Sequence, residues 1–69
     1  MARARRDDQY KIKTVDGETI ICEFEALEID EVNGTVDHIT KQIKLNATNA
    51  TPYAEIEDLA EAAITDWID

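Results

Sequence analysis

The chain predicts an α+β fold, a three-stranded antiparallel β-meander with one C-terminal amphipathic helix packed on one face (β-β-β-α). Three observations point to it. Residues 51–69 carry apolar side chains at helical spacing, residues 10–15 and 19–25 alternate in character, and the only two glycines stand in Asp16-Gly17 and Asn33-Gly34, both hairpin signals.

The helix is the plainest element. At about 100° per residue, Ile56, Leu59, Ala60, Ala63, Ile64, Trp67 and Ile68 fall on one side, beside Tyr53, with acidic residues opposite. Thr51 is a natural N-cap and Pro52 suits the first helical position, which predicts a helix over 52–68. Glu55, Glu57 and Asp58 lie near the positive end of its dipole. No Lys or Arg interrupts the acidic face, which reads as an unneutralised stripe.

The strands follow from turn chemistry and facing. Residues 1–8 are charged and small and are expected to form a flexible basic arm; residues 9–69 form a single small domain. Strands are expected over 9–15, 18–31 and 35–45. A three-residue first loop pairs Ile12 with Ile20 and Tyr10 with Cys22, keeping the apolar side chains together, whereas a two-residue loop would set Lys11 and Lys13 beneath the helix. A two-residue Asn33-Gly34 loop pairs Phe24 with Ile43, Cys22 with Leu45 and Glu23 with Lys44, and sets Asp30 against Asp37. The expected core is Tyr10, Ile12, Ile20, Cys22, Phe24, Ile43, Leu45, Ile56, Leu59, Ala60, Ala63, Ile64 and Trp67. In that register Leu27, Ile29 and Val36 face away from the helix. Either a bulge near Ala26 turns them inward or they serve another molecule.

Composition narrows the function. The 69 residues carry a net charge of −9 and 43% hydrophobic residues, enough apolar content to fold but near the size where one core is marginal. Residues 1–13 hold five basic against two acidic residues, leaving −12 on the remainder. Such a body repels phosphate backbones and favours basic partners or plain solubility. One cysteine excludes an intramolecular disulfide and a multi-thiolate zinc site. No apolar run spans a membrane and the start lacks a signal-peptide core, so a cytoplasmic protein without membrane attachment is expected.

No catalytic residues, metal ligands or cofactor site emerge. His38 is the sole histidine and has only surface carboxylates for company; Cys22 alternates with Ile20 and Phe24 as an inward thiol between Glu23 and Glu25; the glycines belong to turns rather than a phosphate loop. Asn46–Thr51 reads as a loop into the helix, its two Asn-x-Thr sequons included.

Three strands and a helix behind Arg3, Arg5 and Arg6 resemble the arm-binding domains of phage-type integrases, a likeness that implies a sheet laid in a DNA groove. Gly17, Ile20, Cys22, Phe24 and Leu27 are similar in spacing to the first motif of Sm-like RNA-binding barrels, although Cys22 stands where glycine is expected and the helix is C-terminal. Neither likeness assigns a family.

The leading expectation is a small acidic non-enzymatic interaction or structural module, a homo-oligomer or one acting on a protein partner, with Leu27, Ile29 and Val36 at the protein interface. The alternatives are a nucleic-acid binder using Arg3, Arg5, Arg6, Tyr10, Lys11 and Lys13, disfavoured by overall charge, and an acidic DNA-mimic inhibitor of a basic DNA-binding protein.

Overall fold

The computed structural model describes residues 2–69. Strands β1 (Ala2–Val15), β2 (Thr19–Asp30) and β3 (Thr35–Lys44) form one antiparallel sheet in the order β1-β2-β3, and α1 (Tyr53–Ile68) follows. The β-β-β-α fold expected from the sequence is present. The molecule is elongated, 45 × 21 × 17 Å, because the hairpins are long and a single helix covers only part of them.

Both hairpins keep the expected facing but shift by two residues. At the first turn Asp16 (φ 57°) and Gly17 (φ 78°) both occupy the left-handed region, and the Glu18 N–H donates to the Val15 carbonyl at 3.3 Å. That is the two-residue type I′ turn an Asp-Gly pair favours. Regular pairing nevertheless starts at Val15–Thr19, so Glu18 is an additional residue that restores the parity a two-residue loop would have inverted. Ile12 therefore pairs with Cys22 and Tyr10 with Phe24, rather than with Ile20 and Cys22. A two-residue shift leaves every side chain on its face, so apolar patterning does not register it.

The second turn deviates for a local reason. The Asp30 carboxylate accepts the backbone N–H groups of Val32 (3.1 Å) and Asn33 (3.2 Å) and the Asn33 side-chain amide (2.8 Å). This organises a four-residue loop, Glu31 to Gly34, with Gly34 at φ 68°. Asp30 consequently pairs with Thr35, not Asp37. Cys22 pairs with Ile43, Glu23 with Gln42 and Phe24 with Lys41, replacing the expected Leu45, Lys44 and Ile43.

Residues 2–8, expected as a flexible arm, are instead strand: Ala2, Arg3, Ala4 and Arg5 pair with Ile29, Glu28, Leu27 and Ala26. Met1 lies outside the described residues. The Ala-Arg-Ala-Arg alternation has the strand period, and it places both arginines on the helix side. Between Arg5 and Tyr10 the register slips, with Arg6 to Gln9 standing against Glu25 alone. The irregularity thus lies in β1, whereas β2 runs without a shift along β3; no bulge at Ala26 turns Leu27 and Ile29 inward.

The core forms where alternate residues of β2 meet the helix stripe. Ile20, Cys22, Phe24 and Ala26 pack with Leu45, Ile56, Ala60 and Ile64, all buried. Around them lie the half-buried Tyr10, Ile12, Ile43, Leu59, Ala63 and Trp67 of the expected set, together with Ile39, Ala47 and Ile68. Ala60 is 0% exposed, and its small side chain lets the helix approach the sheet. Trp67 meets Phe24 edge-on, with ring centroids 5.6 Å apart and an interplanar angle of 76°.

The helix entry differs in one detail. Pro52 (φ −58°, ψ 142°) is the boundary residue itself, its carbonyl accepting the N–H groups of Glu55 and Ile56. The Thr51 hydroxyl does not cap; it accepts the Thr48 N–H at 2.9 Å and tightens the preceding loop.

Candidate protein-interaction surface

The register gives the sheet two unlike faces. Residues of β2 from Ile20 to Ala26 at even positions face the helix, and those at odd positions face away from it. On the bare face, two consecutive rungs near the second turn read Ala4–Leu27–His38 and Ala2–Ile29–Val36. The three residues expected at an interface are therefore brought together: Leu27 and Ile29 are neighbours on β2 and Val36 lies directly beside Ile29. Val36 is 50% exposed, and Leu27 and Ile29 are half-buried.

Ala2 and Ala4 complete this patch, and the sequence reading missed them. Their signal was the two-residue alternation with Arg3 and Arg5, which marks a strand as clearly as it marks a basic arm. Composition alone favoured the arm.

Toward the first turn the same face is polar and satisfied internally. Its rungs read Lys11–Glu23–Gln42 and Lys13–Ile21–Lys44. Glu23 accepts hydrogen bonds from Gln42 Nε2 (2.7 Å) and Lys13 Nζ (3.0 Å). These donors, the amide first, hold its carboxyl below the usual carboxylate range. Ile21 is buried between the two lysines of its rung, whose aliphatic stems suit such a position. Thr40 donates its hydroxyl to Glu25 at 3.2 Å where the polar and apolar halves meet.

The candidate nucleic-acid residues are divided rather than gathered. Arg3, Arg5 and Tyr10 lie on the helix side, Lys11 and Lys13 on the bare side, and Arg6 in the β1 irregularity. Arg3 sits 5.1 Å from the Trp67 ring centroid and donates from Nη1 to the Trp67 carbonyl at 3.2 Å, near the negative end of the helix. Arg5 pairs with Glu61 (3.2 Å), donates to the Asp8 carbonyl (2.7 Å) and stacks over Tyr10 at 5.6 Å. The acidic helix is thus partly neutralised by the N-terminal strand, a correction to the stripe read from α1 alone.

Burial and charge around this contact are felt by its neighbours. Burial, followed by Glu57 and Glu61, raises the Tyr10 hydroxyl. Burial likewise raises the Cys22 thiol, with Arg5 acting in the opposite direction. Cys22 is enclosed in the core and its protonated form is favoured, an inert setting.

His38 stands beside Leu27 on the bare face, while Asp37 and Asp30 project to the other side. Among the described residues no three His, Cys, Asp or Glu side chains gather as metal ligands. No helix among them is long and apolar enough to cross a membrane. Comparison with protein-family models, with curated proteins and with solved structures finds no match.

Proposed function

We propose that this protein is a small non-enzymatic interaction module that associates, with itself or with a protein partner, through the bare half-face of its sheet. One observation carries the reading: Ala2, Ala4, Leu27, Ile29 and Val36 form a contiguous apolar patch on two rungs that helix α1 does not cover.

Fully burying an exposed Leu, Ile or Val side chain contributes about 1.5–3 kcal/mol, and covering the half-buried Leu27 and Ile29 contributes only the part still open to solvent. Association costs at least about 4 kcal/mol in lost freedom, so a partner must cover the patch and some of its surroundings. The polar half of the same face, with Lys11, Lys13 and Lys44 around Glu23, supplies a rim of the kind interfaces use. Nucleic-acid binding has weaker support because Arg3 and Arg5 are engaged by the helix. A DNA-mimic role is weakened by the same contact, since Arg5 neutralises Glu61.

The test is sedimentation of the full chain at micromolar concentration beside Ile29→Asp. The variant is expected to melt close to wild type yet lose an association step. An equally stable variant with the wild-type assembly state would remove the reading.

A further inference from the structure

The two edges of this sheet are not equivalent. Arg6 to Gln9 break the pairing pattern of β1 and blunt it as a template, whereas β3 keeps one register along its whole length and contains neither proline nor bulge. Helix α1 lies nearest β1, and Thr35 to His38, Thr40, Gln42 and Lys44 are exposed. The Leu45 N–H donates to the Ile20 carbonyl at 2.9 Å. Carrying the antiparallel alternation back from that pair leaves the N–H and C=O groups of Val36, His38, Thr40 and Gln42 pointing out of the sheet.

From this edge and its charges we infer that β3 is a homodimerisation strand, pairing antiparallel with β3 of a second copy about a two-fold axis at Ile39. The inference extends the reading of the chain as an associating module but uses the sheet edge, not the bare face.

The position of the axis follows from side-chain identity. A two-fold axis normal to the sheet keeps helix-side residues opposite helix-side residues, so each residue meets one of its own parity and the axis passes at a residue. At Asp37 or Lys41 it sets like charges against each other. At His38 or Thr40 it leaves Asp37 and Lys41 opposite uncharged residues. At Ile39 it places Asp37 opposite the partner's Lys41 twice over, with Ile39 meeting its own copy between them.

The same register sets His38 opposite the partner's Thr40, and these are residues whose backbone groups point outward. Asp37 is moreover the charge most in need of such a cation. Within its own sheet it pairs with Glu28, and it has no ion-pair partner among the described residues. The result is a continuous six-stranded sheet with both helices on one side.

The test uses full-length Ile29→Asp as the parent, so that the bare face makes no contribution. At micromolar concentration and low salt the parent is expected to sediment at twice the 7.8 kDa chain mass. Adding Asp37→Lys or Lys41→Asp sets like charges opposite in two places and weakens the dimer by about tenfold or more. Mixing the two variants restores a one-to-one dimer, because the Asp37→Lys chain then presents only lysines at these two positions and the Lys41→Asp chain only aspartates. Thr40→Pro removes an outward N–H from an edge strand and abolishes pairing while leaving the thermal transition in place.

A monomeric parent overturns the inference, as does a mixture of folded variants that stays monomeric, or a Thr40→Pro chain that still dimerises. A wild type that associates while Ile29→Asp does not would overturn the edge and support the face. A parent that dimerises like wild type does the reverse.

Discussion

The two sides of β2 come from the same twelve residues and have opposite fates. Ile20, Cys22, Phe24 and Ala26 are buried beneath the helix, whereas Leu27 and Ile29, of similar hydrophobicity, remain half-buried on the face turned away from α1. Hydrophobicity does not distinguish them. What does is parity within the strand, together with a sixteen-residue helix that spans only part of a long hairpin. Even Ile21, buried on the bare side, lies outside the core cluster and between lysines.

The sharpest way to break this contrast is Phe24→Ala. Phe24 is buried, only 2% exposed, and packs edge-on against Trp67, and its loss is expected to cost about 3–5 kcal/mol, enough to abolish a cooperative urea transition in so small a domain. The mirror change on the bare face, Ile29→Asp, is expected to cost only about 1 kcal/mol in the same transition. Its larger effect appears in sedimentation.

Arg5→Ala probes the contact that joins the first strand to the helix side. Removing its bonds to Glu61 and Asp8 and its cover over Tyr10 is expected to cost about 1–2 kcal/mol in thermal or urea melts. It should also loosen β1 specifically, so amide exchange of residues 2–5 accelerates more than that of residues 10–14.

The smallest effect lies on the polar half of the bare face. The Glu23 carboxyl is held below its ordinary value by Gln42 and Lys13, so its stabilising contribution is complete above the unfolded carboxylate range and is lost as pH falls through the lower folded value. Asp30 behaves in the same sense through Asn33 and Val32. Melts followed from neutral to acid pH should therefore show a shallower acid decline in Glu23→Gln than in wild type.

Much of this organisation was legible in the sequence because it depends on local periodicity and facing. The helix stripe from Ile56 to Ile68, the common side of Tyr10, Ile12, Ile20, Cys22 and Phe24, and the outward side of Leu27, Ile29 and Val36 all follow from periods of 3.6 and 2. Those periods also survive a two-residue shift, which is why facing could be right while both registers were wrong. Glu18 in the first turn and the Asp30 carboxylate in the second decided the registers through hydrogen bonds that hydrophobic patterning does not encode.

The opening residues show what only tertiary structure decides. By composition, Ala2 to Asp8 are a charged arm, and nothing within that segment supplies a partner. The distal half of β2 offers an open edge, and Trp67 and Glu61 offer the two arginines an aromatic ring, a carbonyl and a carboxylate. A strand has no internal hydrogen bonds to satisfy its own backbone, so whether alternating residues become strand or arm depends on a neighbour distant in the chain; a helix satisfies most of its backbone within itself, and for that reason α1 could be read from residues 51–69 alone while β1 could not be read from its own segment.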